Sequence, residues 1–277
     1  MNKHAFAPNT LALSTVIICT PLRIGVFTIV LMLGSASVGL SVAQVEAPGD
    51  ASSLVRASFE RYNPTWYRSL TFVQQTIRYR PNGSVDTAVW YEAYHAPGRL
   101  RIDVAPLTDG TMFLFAQDTQ YVFQNDTLVS ARRMVHPLLL LGFDLYFLSP
   151  DQTLGKLEEL GFDLNVVRND FWLGRPAVVV GAAKGDTTRA QFWIDAERLV
   201  FVRMLMPVSG RIQEVQFNNY QRLEGGWLAP EVVIAVDGRI VMKEVYNDIR
   251  TGTPLDATFF DPSAWRTARH WHPSLRP

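Results

Sequence analysis

Hydrophobic and polar residues alternate along much of the chain beyond residue 69, a pattern typical of β-strands with one buried face. The segment Leu70–Ile77 alternates in this way, and Pro81-Asn82-Gly83 after it has the composition of a hairpin turn. The strands follow one another in two runs without intervening helices, which favours one antiparallel sheet of roughly eleven to thirteen strands. The predicted strands are Leu70–Ile77, Thr87–Tyr94, Arg99–Val104, Met112–Ala116, Gln120–Gln124, Thr127–Arg132, Phe162–Arg168, Arg175–Ala182, Arg189–Ile194, Leu199–Met206, Ile212–Tyr220, Leu228–Val236 and Arg239–Tyr246.

Three segments depart from the strand pattern and predict helices. The first is Ala51–Tyr62, which has apolar residues at helical spacing and is followed by Pro64. The second is the apolar run His136–Leu148, which is too short to span a bilayer and suits a buried helix. The third begins at Pro150 and ends before Gly161.

One predicted strand is apolar on both sides, unlike a strand in a sheet that faces solvent on one side. A partner, or a ligand cavity opposite packed helices, would cover the second face. The helix His136–Leu148 is the candidate lid of such a cavity, and an ordinary core helix would have the same composition. The strand carries Leu199, Phe201 and Leu205 on one side and Val200, Val202, Met204 and Met206 on the other.

Residues 1–43 differ from the rest because they contain no Asp or Glu. Lys3 and Arg23 precede an apolar run that starts at Ile24, and small residues follow it up to Ala43. This order predicts a cleaved export signal or, because the run is about 20 residues long, a retained transmembrane anchor. In both cases the positive flank predicts a periplasmic body, free or anchored to the inner membrane by residues 24–43. The residues chosen to represent the signal or anchor are Ile24, Val30, Leu33 and Leu40.

Composition narrows the classes of function. The formal net charge is zero, which argues against a nucleic-acid partner. The single cysteine, Cys19, lies in the predicted signal segment, so neither a disulfide nor a cysteine-built metal site is expected in the body. No cofactor is expected either. The body has only His95 and His136, and no hydrolase, zinc-protease or nucleotide-binding motif. These observations predict that the protein is not an enzyme.

The chain ends in a basic segment, residues 266–277. It carries Arg266, Arg269 and Arg276 together with two histidines and two prolines. We expect an extended tail that binds a membrane or a partner.

Taken in order, several segments resemble the LolA/LolB-like family of periplasmic carriers that sort outer-membrane lipoproteins. The opening strand Leu70–Gln75, the turn and strand Pro97–Asp103, and the paired strands within Gly110–Phe123 resemble the first half of that family. The hairpin Ala190–Arg203 and the closing stretch Tyr246–Pro262 resemble the second half. The likeness lies between residues 52 and 265.

The resemblance implies a mainly β fold with a few helices: a single curved antiparallel sheet forming a half-open barrel that helices close. It also implies an apolar cavity for lipid or lipoprotein acyl chains. The carriers have an arginine just before the proline of the second hairpin, which helps to hold their closed state, whereas this chain has Ala96 before Pro97. That departure argues against an energised load-and-release cycle. The candidate cavity residues are Leu70, Phe72, Leu100, Ile102, Phe113, Phe115, Tyr121, Phe123, Leu138, Leu139, Leu141, Phe192 and Phe201.

Two functions remain open for the predicted domain 44–265. The first is a non-catalytic periplasmic protein that binds lipid or lipoprotein acyl chains. The alternative is a membrane-anchored accessory or structural subunit of an inner-membrane protein complex that uses the same fold as a scaffold. A cleaved signal and an apolar cavity would favour the first, and a retained anchor with a basic tail would favour the second.

Overall fold

A computed structural model describes residues 49 to 275. The predicted signal or anchor, with Ile24, Val30, Leu33 and Leu40, therefore lies outside the described residues, as does Arg276 of the tail. The α-helices are α1 (Ala51–Tyr62), α2 (Pro137–Gly142) and α3 (Pro150–Glu159). The strands are β1 (Ser69–Tyr79), β2 (Val85–His95), β3 (Arg99–Val104), β4 (Met112–Ala116), β5 (Thr119–Gln124), β6 (Thr127–Arg133), β7 (Val167–Trp172), β8 (Arg175–Val180), β9 (Gln191–Asp195), β10 (Phe201–Val208), β11 (Arg211–Asn218), β12 (Gln221–Leu223), β13 (Gly226–Leu228), β14 (Glu231–Val236) and β15 (Arg239–Thr251).

Thirteen of the described strands form one antiparallel sheet, in the order β6-β5-β4-β3-β2-β1-β15-β14-β11-β10-β9-β8-β7. Hairpins connect most neighbours, and the long pairing of β1 with β15 joins the first half of the chain to the last strand. The edges of the sheet are β6 and β7, which are consecutive strands linked by the helical segment that carries α2 and α3. The mainly β fold with one large antiparallel sheet is therefore confirmed.

Strands β1 to β5 bury residues on both faces, and different parts of the chain cover the two faces. We call them the helix side and the tail side. Because side chains alternate along a strand, Phe113 and Phe115 of β4 point to the helix side, while Met112 and Leu114 point to the tail side. The helix side packs against residues of the helical segments, including Leu54, Leu139, Leu141, Leu145 and Leu157. The tail side packs against Phe259, Phe260 and Trp271.

Local sequence fixes the ends of the helices. Asp50 caps α1 by accepting the backbone N–H of Ser53 at 2.6 Å. Ser149 and Gln152 form a capping box at the start of α3, and each side chain accepts the other's backbone N–H. Among the described residues, no helix has the length and apolar character needed to cross a bilayer.

The predicted lid helix His136–Leu148 is wrong in its extent. The α-helix α2 ends at Gly142, Phe143 leaves the helical conformation, and a 3-10 turn follows at Asp144–Tyr146. The break lets Asp144 point back toward the β2–β3 turn, where protein donors reach its carboxylate. The predicted strand Phe162–Arg168 is also displaced, because β7 begins at Val167.

The C-terminal segment differs from the extended tail that its composition predicts. After a 3-10 turn at Ala257–Phe260, the chain turns back onto the tail side of the sheet, and both His270 and Trp271 are buried there. The anchor point is the buried pair Arg101 and Asp103 on β3: Arg101 Nε lies 2.9 Å from Asp103 Oδ2. His270 Nε2 lies 3.4 Å from the same carboxylate oxygen. Arg266 and Arg269 remain exposed on the outside of the segment.

Candidate functional site

The thirteen predicted cavity residues divide between the two faces of the sheet. Eleven belong to the helix-side core or pack against it, and most of them are buried. Tyr121 and Phe123 are the exceptions, because β5 pairs Tyr121 with Leu114 and Phe123 with Met112, which places both on the tail side. Tyr121 and Phe123 have the same alternate spacing as Phe113 and Phe115, but alternation shows only that the two members of each pair share a face. The pairing between β4 and β5 decides which face that is, and it places Tyr121 and Phe123 on the face opposite to Phe113 and Phe115.

A cavity of about 480 Å³, which we call the lid cavity, opens where the helical segment meets the ends of β3, β4 and β5. Of the eleven predicted residues on the helix side, Phe115 and Leu139 line it, and the other nine contribute to the packed core. Its apolar wall is formed by Phe115, Met134, Val135, Leu139, Leu140 and Leu148. Its charged groups are Arg99, Asp118, Asp144 and Lys156.

Asp144 is the most deeply buried charged group of the lid cavity. Its Oδ1 accepts the Tyr94 hydroxyl at 2.9 Å and the backbone N–H of Gly98 at 2.8 Å. Burial raises the pKa of Asp144 to about 6, although these two hydrogen bonds act in the opposite direction. The nearby arginines of β6 have other partners: Arg132 bonds Gln120, and Arg133 bonds Glu159.

His136 and the pair Asp118–Lys156 complete the polar wall of the lid cavity. The Nδ1 of His136 accepts the backbone N–H of Leu139 at 3.2 Å and so caps α2. Burial lowers the pKa of His136 to about 4, so the ring is neutral at pH 7 with its proton on Nε2. Asp118 and Lys156 form a salt bridge between the β4–β5 turn and α3. These contacts join the β4–β5 turn, α2 and α3 around the cavity.

A second group of buried acids lies on the helix side near the middle of the sheet. Glu92 on β2 and Glu244 on β15 are both more than nine-tenths buried. Burial raises the pKa of Glu244 to about 7, and it raises the pKa of Glu92 well above its usual value, with repulsion from Glu244 adding to the effect. The Tyr246 hydroxyl donates to Glu244 at 3.3 Å. A continuous apolar trough along the whole helix side is therefore interrupted by these acids.

A smaller cavity of about 390 Å³ lies at the other end of the sheet order, beside the edge strand β7. We call it the edge cavity. Arg175 and Asp195, which line it, are joined by a bond of 2.6 Å between Arg175 Nε and Asp195 Oδ2. The edge cavity contains none of the thirteen predicted residues. Within residues 49–275, no group of three or more His, Cys, Asp or Glu side chains is arranged to hold a metal ion.

Comparison with known proteins identifies the fold. No family model matches the chain, and no curated protein matches its sequence. Among solved structures it is similar to an outer membrane lipoprotein-sorting protein domain from Vibrio parahaemolyticus, with 15% identity, a TM-score of 0.51, and coverage of 76% of this chain and 96% of that one. It is also similar to a DUF1329 family protein from Desulfovibrio piger, with 15% identity, a TM-score of 0.53, and coverage of 77% and 96%. The predicted LolA-like resemblance is thus confirmed as a shared fold.

Sequence analysis missed the polar part of the site. Tyr94 and Gly98 lie 50 and 46 residues before Asp144 and bond it only through the topology, which also brings Asp118 and Lys156 into the same cavity wall. The available signal was the single acid inside the apolar run His136–Leu148, because a buried carboxylate needs donors from elsewhere in the fold.

Proposed function

We propose that the chain is a non-catalytic, periplasmic binding protein that holds a lipid or lipoprotein acyl chain in the lid cavity. The observation that carries this proposal is the cavity of about 480 Å³ between the sheet and the helical segment, with the apolar wall formed by Phe115, Met134, Val135, Leu139, Leu140 and Leu148. That volume lies in the range of ligand sites, and transfer of each methylene from water into such a wall is worth about 0.8 kcal/mol.

The polar groups of the lid cavity are consistent with binding rather than catalysis. The Asp144 carboxylate is held by Tyr94 and Gly98, and His136 Nδ1 is engaged with Leu139. Both groups thus have structural roles in joining the elements around the cavity, as a binding protein requires. The shared fold with a lipoprotein-sorting domain supports an acyl ligand.

Mass spectrometry on the protein purified from its native membranes tests this function. Under the proposal, the intact mass begins near Gln44, and solvent extraction releases acyl chains in a stoichiometric amount. A full-length mass within a stable complex, with no extractable acyl chain, contradicts it and supports a scaffold subunit instead.

The exposed edges of the sheet favour one second candidate function, that of an accessory subunit which binds another protein. Edge strands present unpaired backbone groups that a partner strand can bond. On β6, Leu128 and Val129 are 47% and 52% exposed; Phe171 on β7 is 63% exposed, and Leu173 just after β7 is 74% exposed. Substituting Phe171 and Leu173 with Ser would weaken co-purification of a partner under this candidate and leave acyl-chain content unchanged.

A further inference from the structure

The tail side of the sheet remains apolar beyond the part that the C-terminal segment covers. Residues paired directly across strands share a face, and Ile77 of β1 pairs with Thr87 of β2 and with Lys243 of β15. Lys243 pairs in turn with Val233 of β14, so the outward side chains of four neighbouring strands form one surface. We call this surface the outer patch, and its main apolar members are Ile77, Tyr79, Val85, Val89, Val233 and Ile240.

The C-terminal segment stops just short of the outer patch. The rings of Trp271 and His272 lie against Tyr91, and Val89 is the next residue of β2 on that face. Farther along the same face the side chains are open to solvent, since Val85 is 54% exposed and Ile240 is 53% exposed. The outer patch therefore continues a surface that the chain already covers in part with its own aromatic residues.

The neighbouring strands show what the same face carries where it meets water. Gln216 of β11 pairs with Val233 and with Arg203 of β10, and Glu214 lies two residues before Gln216 on the same face. Arg203 Nε donates to Glu214 at 2.7 Å, and Gln216 Nε2 donates to the same oxygen at 2.8 Å. Polar outward positions of this kind are typical of an antiparallel sheet with one solvated face. The outer patch departs from that pattern, and a contiguous exposed apolar surface marks a contact site.

The charges on and around the outer patch nearly cancel. The ion pairs there are Lys243–Glu231, Arg80–Asp86 and Arg211–Asp237. Arg239 adds one positive charge beside Ile240. An anionic membrane surface is bound through clusters of basic residues, and a strongly charged protein through an excess of the opposite charge. The outer patch has neither feature, so its charge suits a partner surface that is itself apolar and nearly neutral.

A second copy of the chain presents such a surface. Lys243 and Glu231 lie on the patch with opposite charges and are both partly exposed. A two-fold axis turns Lys243 of one copy toward the half of the other patch that carries Glu231, so the patch is electrostatically complementary to itself. The apolar members of the two patches would then pack between these charges, as the inner faces of two stacked sheets do.

We propose that the outer patch binds the outer patch of a second copy of this chain, forming a two-fold symmetric dimer. The inference goes beyond the proposed function and does not depend on it, because the lid cavity lies on the helix side. In the dimer the lid cavities of both copies remain open.

Sedimentation velocity of the full chain, between about 1 and 100 μM, tests the inference. The parent mass should double as the concentration rises. Val85→Arg and Ile240→Arg, on two different strands, should each weaken the dimer at least about tenfold, because each places an unpaired charge in the contact. The matched control is Leu128→Arg, at a residue of β6 that is 47% exposed and lies outside the patch, and it should dimerise like the parent. Because these positions are exposed, thermal unfolding should be similar in all four proteins.

Several results would overturn the dimer. A parent that stays monomeric over the whole range does so, and so does a dimer that Val85→Arg and Ile240→Arg leave intact. Equal weakening by Leu128→Arg moves the contact to the edge strand β6. A monomeric parent that binds vesicles of phosphatidylglycerol, and loses that binding in Val85→Arg, makes the patch a lipid-binding surface instead.

Discussion

The hydroxyl of Tyr94 on β2 donates a hydrogen bond of 2.9 Å to Asp144, which lies just beyond α2. The backbone N–H of Gly98 donates to the same oxygen at 2.8 Å. These two bonds join the lid segment to the β2–β3 hairpin, so the carboxylate fixes one wall of the lid cavity. The position is buried, however, and burial raises the pKa of Asp144 to about 6. The charged form of Asp144 therefore disfavours the folded state at neutral pH.

Replacement of Asp144 by Asn should stabilise the protein in a pH-dependent manner. The pKa of Asp144 rises from 3.8 to about 6 on folding. The contribution of this group to stability is therefore full below pH 3.8 and is lost as the pH rises through 6. Asn keeps the acceptor oxygen and has no charge, so Asp144→Asn should raise the free energy of unfolding at pH 8 by roughly 1–3 kcal/mol and give no such gain at pH 4. Urea unfolding at both pH values measures this. Asp118→Asn is the control, since it removes a half-exposed carboxylate paired with Lys156 and should give no gain. A loss of stability in Asp144→Asn at pH 8 would contradict the account.

The buried acids Glu92 and Glu244 should titrate as a coupled pair. Repulsion from Glu244 contributes to the raised pKa of Glu92, and burial raises the pKa of Glu244 to about 7. Glu244→Gln should therefore lower the pKa of Glu92. It should also increase the free energy of unfolding, mainly above pH 7, because the contribution of Glu244 to stability in the parent is lost as the pH rises from 4.5 through 7. Carboxyl carbon chemical shifts followed by nuclear magnetic resonance report the pKa. An unchanged Glu92 titration in Glu244→Gln would show that the two groups do not interact.

Two glycines in helices should respond in opposite directions to alanine. A Cβ at Gly142, the last residue of α2, would lie 3.0 Å from Cε2 of Phe217, so Gly142→Ala should destabilise the fold by about 1 kcal/mol. A Cβ at Gly155 in α3 would have no neighbour within 4 Å, so Gly155→Ala should stabilise by roughly 0.5–1 kcal/mol through helix propensity. Thermal unfolding of the two variants gives both signs. Similar changes in the two would show that Gly142 does not lie against Phe217 of β11.

Trp271 should contribute to stability even though it lies near the end of the chain. Its side chain is 4% exposed and packs with Met112, Leu114 and Phe259 on the tail side. Trp271→Ala should lower the free energy of unfolding by about 3 kcal/mol, which is typical when a buried large aromatic residue is truncated. Arg269→Ala, at an exposed neighbour, should leave stability within about 0.5 kcal/mol. Denaturant unfolding measures both, and equal stability of the two variants would mean that the C-terminal segment does not cover the sheet.

Period-two alternation was sufficient to predict most strands, because it is a local property of each segment. It did not show which face of β5 turns toward the helices, since that depends on register with β4: Tyr121 pairs with Leu114 rather than with Phe115. The candidate cavity residues Tyr121 and Phe123 were therefore placed on the wrong face.

Long-range packing explains the other differences. The basic composition of residues 266–277 predicts a solvated tail, but Trp271 and the pair Arg101–Asp103 provide apolar and charged contacts that hold it on the sheet. Similarly, the apolar run His136–Leu148 does not reveal that Phe143 breaks the helix and directs Asp144 to Tyr94. Such contacts join residues that are distant in sequence, and the local pattern of a segment does not specify its partners.

The most direct test of acyl-chain binding is to fill the lid cavity and measure ligand affinity. Leu148 lines the cavity and is half-buried, while Leu154 on α3 is also half-buried but is not part of the cavity wall. Displacement of a fluorescent fatty acid should show that Leu148→Trp weakens binding at least about tenfold, while Leu154→Trp binds like the parent. Equal binding by all three proteins would contradict the proposal that the lid cavity holds the acyl chain.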